Sequence, residues 1–290
     1  MSAVTAPRGG LPRTVLRLHR PALMTWTVFV VALCGWLVLL TEVVADRARA
    51  AEARTCVTDV CGPVSLLDSF DLQLSWAGTL VCYGFLAVAA FTGGALIGRE
   101  LESGTAELAW TQGVSPARWL TAKLALPALA VTAGGTALTL LFRRTWAADP
   151  DLVGEYWFDA YAFVARGPLV VAYGLCALAV GTLTALLLRR TLPSLAVATG
   201  TMWLLNAVLT YYRGQLWPTV HRTAPRSFDL PDGAWEVTEG RTAHGWFATY
   251  HPASHYWPLH LTETAIVVAV AALAVVLSFR LLKHRTESPV

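Results

Sequence analysis

The apolar positions of this 290-residue chain are gathered into six long blocks, at residues 21–44, 73–98, 124–142, 167–188, 192–212 and 261–282, and the blocks are almost free of charge. Each is close to the roughly 20 helical residues, rising about 1.5 Å apiece, that cross a hydrocarbon layer of about 30 Å. Apolar residues run continuously within a block, whereas a lipid-facing barrel strand alternates apolar and polar side chains over about ten positions. Only helices and closed barrels satisfy every backbone group in lipid, so the pattern predicts an all-α, polytopic integral membrane protein with six transmembrane helices. Composition agrees: 14% of residues are charged, against about 25% in a soluble domain.

The first block follows Arg8, Arg13, Arg17 and Arg20, as the core of a signal peptide would. It is longer than the roughly 7–15 apolar residues of such a leader, and no convincing small-x-small cleavage site follows. It is therefore expected to remain as an anchor.

Charge then orients the blocks. With both termini cytoplasmic, the inside segments 1–20, 98–123, 188–191 and 280–290 hold 12 of the 22 Lys and Arg in 61 residues. The outside segments 45–72, 143–166 and 213–260 hold the other 10 in 100 residues. Basic density is about twice as high inside, the direction the positive-inside rule requires, with Arg143 and Arg144 as a local exception. The expected organisation is a basic N-terminus (1–20), one six-helix membrane domain (21–282) and a short tail (283–290). Cys56 and Cys61 then lie in an outside loop where oxidising conditions permit either a disulfide or two free thiols. Cys34, Cys82 and Cys176 fall within spans and read as small packing residues. The outside segment 213–260, rich in Trp and Pro, reads as a compact cap with a short helix and a turn at "LPDGAW".

Several chemistries are excluded or disfavoured. The chain has two lysines, Lys123 and Lys283, and neither ends a G-x-x-x-x-G-K-[ST] phosphate loop, so it is not its own ATPase. His244, His251, His255 and His260 crowd one outside segment, but Pro252 pushes His251 off helical geometry and no Glu sits between His251 and His255. No catalytic residue, metal, cofactor or nucleic-acid partner is expected. Ion-coupled transport needs an ionisable group near the midplane. Glu42, Glu263, Lys123, Arg166 and Arg280 all fall near span ends. Energy for any transport would come from another molecule.

The mixed-charge segment 98–123 is too short to fold alone. The second block can continue as a helix through "RELESGTAELAWTQ", interrupted at Gly104 and stopped at Gly113. Ser115 can cap a new helix whose first residue is Pro116. The product is a cytoplasmic elbow in which Glu100, Glu102 and Glu107 could pair with a partner's basic residues. Spacing alone equally allows a solvated hairpin with Trp110 and Trp119 at the headgroups.

"RELESGTAELAWTQGVSPARWLTAK" resembles the first cytoplasmic loop of ABC type 2 transport permeases, especially their actinobacterial branch. "VLRLHRPAL" resembles the entry to the first span of that family, and "YHPASHYWPLHLTET" the approach to its last, although His255 and His260 stand where Arg and Gln are more usual. The resemblance implies a six-helix permease in the bacterial plasma membrane that pairs with a second permease and binds cytoplasmic ABC ATPase subunits. The elbow would be its coupling helix, with Glu100, Glu102, Gly104, Thr105 and Trp110 as contact and hinge positions and Arg118 and Lys123 anchoring the return. An ATP-driven exporter is the expected function. A non-transporting membrane partner of a sensor or immunity complex is the alternative, and a membrane enzyme stands third.

Other candidates keep two readings. Asn206, Tyr211 and Tyr212 either line a translocation path or make an interhelical hydrogen bond and interfacial contacts. Glu263 is either part of an outer gate or a solvated interfacial carboxylate. Gly94 and Gly98 form a G-x-x-x-G that allows close helix approach, and Gly134, Gly135, Gly174 and Gly181 are further small residues within spans. The charge bias predicts that single cysteines at Ser103 or Gln112 react with a membrane-impermeant maleimide only after cells are permeabilised. A cysteine at Thr238 should react in intact cells, and the reverse pattern would invert the topology.

Overall fold

The structure, a computed structural model, describes residues 10–55, 65–148, 157–243 and 245–287. Cys56, Cys61 and His244 lie outside the described residues, and so does the expected disulfide.

Every apolar block is helical, and most helices outrun their blocks. α1 (Gly10–Leu39) passes through a π turn at Leu40–Val44 into α2 (Ala45–Thr55), so part of the expected loop 45–72 is helix. α3 (Ser65–Phe91) runs through a π segment at Thr92–Gly98 into α4 (Arg99–Glu102), which α5 (Thr105–Thr111) follows. α6 (Pro116–Ala148) has 33 residues, about 50 Å at 1.5 Å each, and so projects past a hydrocarbon layer of about 30 Å. α7 (Ala160–Ala165), α8 (Leu169–Leu188), α9 (Thr191–Tyr212) and α10 (Tyr256–Glu287) complete the bundle. Six helical stretches among the described residues are long and apolar enough to cross a membrane, which makes the chain a multi-pass helical membrane protein.

α8 is the centre. It is 78% buried over its apolar window, against 22% for the first span. Its sequence explains this: Ala172, Gly174, Cys176, Ala177, Ala179 and Gly181 are small and buried, so α3, α6, α9 and α10 can all approach its backbone. Val131 of α6 sits over Gly174, and Thr92 of the π segment sits over Gly181. The same logic joins α3 to α9, where a Cβ on Gly93 would stand 2.7 Å from the Ser194 carbonyl oxygen and 3.0 Å from the Ala198 methyl. Gly94 packs beside Leu195 and Gly98 beside Thr191, so the G-x-x-x-G faces the start of α9.

The segment expected as a compact cap with a short helix is built mainly on a sheet. β1 (Val220–Ala224), β2 (Trp235–Thr242) and β3 (Gly245–His251) make an antiparallel sheet in the order β1-β3-β2, with a bulge between Glu236 and Thr238. The stretches "WEVTEGRT" and "GWFATYH" are rich in β-branched and aromatic residues and lack the spacing of an amphipathic helix. Helix is confined to single turns at Arg213–Gln215 and Ala253–His255. The "LPDGAW" turn is present, with Gly233 at φ 67° and the Ala234 amide donating to the Pro231 carbonyl. Trp157 donates to the Gly233 carbonyl at 2.6 Å and packs edge-on against Trp235 and Tyr256, joining the cap to the bundle. Arg143 and Arg144, the exception to the charge bias, are both engaged: Arg144 pairs with Glu42, and Arg143 lies over the Trp257 ring.

Close packing at Gly93 has a measurable consequence. Gly93→Ala should destabilise the detergent-solubilised protein by about 1–3 kcal/mol through overpacking. Gly200→Ala, on α9 with open space around it, should be neutral or stabilising by up to about 1 kcal/mol. Thermal denaturation of both variants checks the contrast, and equal shifts would contradict the packing.

Candidate functional site

The elbow at the α4–α5 end of the bundle is built by two left-handed glycines. Gly104 has φ 72° and separates α4 from α5, and Gly113 has φ 90° and ends α5. Ser115 then starts α6: its hydroxyl accepts from the Arg118 amide at 3.4 Å and its carbonyl accepts from the Trp119 amide at 3.0 Å. The chain thus turns where its sequence indicates.

Its carboxylates are not free. Glu100 pairs with the buried Lys123 of α6 and also accepts from Trp119 Nε1 at 3.3 Å. Glu102 accepts from the Thr191 amide at 2.8 Å, in the first turn of α9. Glu107 pairs with Arg189. Arg189 itself stands at φ 53°, the one described non-glycine residue with positive φ, where it ends α8 and turns the chain into α9. Glu100, Glu102 and Glu107, which could pair with a partner's basic residues, here meet Lys123, Thr191 and Arg189 of the same chain, and Glu102 stays exposed. A buried cation needs a counter-charge in place, and the turn 188–191 presents two arginines, Arg189 and Arg190, and the helix-start amide of Thr191.

The tryptophans pack on each other and on the bundle. Trp119 is buried, Trp110 is half-buried, and the two rings meet edge-on at 5.7 Å. They belong to a small core with Leu96, Ile97, Leu101, Leu186 and Leu282, which joins the elbow to the ends of four spans. Arg285 of α10 adds a bond to the Leu186 carbonyl. The elbow leaves exposed Arg99, Glu102 to Thr105, Leu108, Thr111 to Gly113, Ser115, Ala117 and Arg118. Leu108 is 57% exposed and is the large apolar side chain of that apex.

A second polar group lies at the cap end. Glu263 is fully buried, not a solvated interfacial carboxylate. α10 begins at Tyr256, several residues before the hydropathy boundary, so Glu263 lies two turns inside the helix. It accepts from Arg213 Nε at 2.8 Å, from Arg213 Nη2 at 3.4 Å and from the Tyr173 hydroxyl at 3.0 Å. The Arg213 guanidinium is also 4.0 Å from the centre of the Phe163 ring. His260 Nε2 accepts from the Leu169 amide at the start of α8. Charge is thus buried at the end of the spans, which hydropathy alone does not reveal. Asn206 is buried nearby on α9 with its Nδ2 unpartnered, whereas Tyr211 is 79% exposed, packs on Tyr212 and does not join the cluster.

The histidines come closer together than their spacing indicates. His251 ends β3, yet its Nδ1 lies 3.0 Å from His255 Nδ1, while its Nε2–H donates to the Gly214 carbonyl at 2.9 Å. Those partners make His251 Nδ1 an acceptor and His255 the donor, and burial holds the His251 pKa below its ordinary value. Among the described residues no three His, Cys, Asp or Glu converge as a metal site requires.

A six-helix bundle around a small-residue fourth span, with a compact elbow between the second and third, is the arrangement to compare with known proteins. A family model described as ABC-2 membrane transporter related matches residues 27–213. The chain belongs to that family. No curated protein and no solved structure matches it. The match covers the first five spans and the whole elbow, so the chain is a transporter permease of the ABC-2 type, a family whose membrane component is generally non-catalytic and generally works with an ATPase.

Arg189 and Thr191 were not singled out by the sequence, and Glu107 and Trp119 were read only as residues facing a partner or the headgroups. The available signal was charge complementarity between the acidic elbow and the short turn 188–191.

The buried pair at the cap end generates a double-mutant test. Glu263→Ala should destabilise the permease by about 3–5 kcal/mol, because it leaves a buried guanidinium unpaired. Adding Arg213→Met to that change should recover part of the loss. Chemical denaturation in detergent measures both, and simple additivity would show that the pair does not interact.

Proposed function

We propose that this permease is the membrane half of an ATP-driven exporter, and that the elbow 98–123 is where a separate cytoplasmic ABC ATPase acts on it. The reading places the elbow and both termini inside the cell and takes a second permease, identical or paralogous, to complete the transporter. Family membership and the positive-inside bias support it. The observation that carries it is the set of three internal clamps. Glu100 to Lys123, Glu102 to Thr191 and Glu107 to Arg189 tie the elbow to the third span, the fifth span and the end of the fourth.

The elbow is therefore a rigid block, and force on its exposed apex reaches three spans together. The π segment Thr92–Gly98, buried almost throughout, lies between the second span and the elbow. Wide i→i+5 turns of this kind recur at functional sites, and this one is the natural hinge. Leu108, Thr111 and Gln112 take the contact role in this reading, with Gly104 and Thr105 beside them, while Glu100, Glu102 and Lys123 transmit. Asn206 and the Glu263–Arg213 pair hold the cap ends of the fourth, fifth and sixth spans together as an outer gate. The chain breaks no covalent bond and supplies no nucleotide site.

The test uses the permease co-purified with its ATPase. Leu108→Glu should lower the retained ATPase at least about tenfold by placing a charge in an apolar contact, with the permease melting temperature unchanged. Glu100→Ala should instead lower that melting temperature, because it leaves Lys123 buried and unpaired. An ATPase bound and stimulated normally by the Leu108→Glu permease would rule the elbow out as the docking site.

A further inference from the structure

Two arginines at the cap end have no carboxylate opposite them among the described residues. Arg144 is answered by Glu42 and Arg213 by Glu263, whereas Arg143 and Arg166 meet aromatic rings. Arg166, at the junction of α7 and α8, lies 4.7 Å from the centre of the Trp146 ring and 4.9 Å from that of Tyr256. Arg143 lies 5.4 Å from the centre of the Trp257 ring. Trp146 stands one turn beyond Arg143 on α6, and the Tyr256 and Trp257 rings, 5.1 Å apart, belong to the first two residues of α10. The contacts close into a circuit, from Arg143 through Trp257, Tyr256, Arg166 and Trp146 and back along α6, that brings the two guanidiniums to one place.

A ring face attracts a cation but offers it no directed acceptor. Each guanidinium carries five N–H donors in one plane, and among the described residues neither arginine has a hydrogen-bond acceptor. Neither has a nitrogen sealed inside the bundle, so the donors are open to a ligand. Arg143 is exposed and Arg166 half-buried. Burial holds the Arg166 pKa below its ordinary value, and the Arg143 charge acts in the same direction. Two like charges held together are stabilised by an anion that both reach. The planar fork of guanidinium donors matches the oxygens of a phosphate. The place suits such a group as well. The circuit joins the cap ends of the third, fourth and sixth spans, and the exposed Trp257 is of the kind that marks headgroup depth.

We propose that Arg143 and Arg166 together bind one phosphate-type oxyanion, framed by Trp146, Tyr256 and Trp257 and carried by a lipid headgroup or by a soluble ester. Bound there, the anion bridges α6 to the α7–α8 junction and ties the third span to the fourth. Its assignment to the outer side of the membrane rests on the orientation in the proposed function, but the site itself does not.

Phenylglyoxal, which modifies arginine, tests this on the full-length permease in dodecyl maltoside, with each arginine followed by peptide mass spectrometry. Dioctanoylphosphatidylglycerol and inorganic phosphate are the probes, and dioctanoylglycerol, which has no phosphate, is the control. At about ten times the dissociation constant read from the titration, modification of Arg143 and Arg166 should slow about tenfold. Arg144, next along the chain and paired with Glu42, should not respond. Protection by the phospholipid alone assigns the oxyanion to a headgroup, and equal protection by inorganic phosphate assigns it to a soluble ester. Arg143→Gln, at an exposed position, should weaken the protection of Arg166 at least about tenfold through loss of one charge-assisted contact, with the melting temperature unchanged. Four results would each overturn the shared site: no protection of either arginine, equal protection of Arg144, equal protection by dioctanoylglycerol, or an unaltered Arg166 response in Arg143→Gln. No ATPase enters the measurement, so its failure is separate from failure of the coupling role.

Discussion

A charge buried among these helices has no water to solvate it, so its counter-charge must come from within the chain. The rest of the structure is arranged around that constraint. At the elbow end Lys123 is 5% exposed and is met by Glu100, and at the cap end Arg213 is 1% exposed and is met by Glu263. Each pair joins consecutive spans, one across the elbow and one across the cap. Between the two ends, the spans are held mainly by small residues and apolar contact, with interhelical hydrogen bonds such as that from Trp26 Nε1 to the Ala130 carbonyl.

The two polar ends do different mechanical work. At the elbow, three carboxylates engage three sites on other helices while Leu108, Thr111 and Gln112 of α5 and its end stay exposed. In the proposed coupling role, that division separates transmission from contact. Acidic residues that would look like docking residues on an isolated hairpin instead make the hairpin stiff. At the cap, Glu263, Arg213 and Tyr173 bind α10, the end of α9 and α8 to one another beneath an aromatic layer of Trp157, Trp235 and Tyr256. A bundle clamped at both ends around a central α8 moves as coupled helices rather than as independent ones.

The first span is the exception. It is the least buried of the six, interlocked with the bundle on its cap half and held on its elbow half chiefly through Trp26. The groove that results is walled by α3 and α6, the two spans that the elbow connects. Both features depend on glycines, Gly84 for the open space and Gly93 for the tight α3–α9 contact.

The sequence by itself determined what depends on local spacing. Six uninterrupted apolar blocks mean six helices, because backbone groups in lipid must bond within their own segment. Gly104, Gly113, Ser115 and Pro116 mark the bends of the elbow, because left-handed φ and helix starts are properties of single residues and their immediate neighbours. Tertiary structure alone decided which distant groups meet. Nothing in the spacing says that Glu100 finds Lys123 rather than a partner protein, that Tyr211 turns away from Asn206, or that β2 and β3 pair into a sheet. Glu263 was misplaced for the same reason: hydropathy averages over a window and cannot see that α10 starts early enough to carry a carboxylate two turns inside. Long-range pairing is chosen by the geometry of the whole bundle, and no local pattern encodes it.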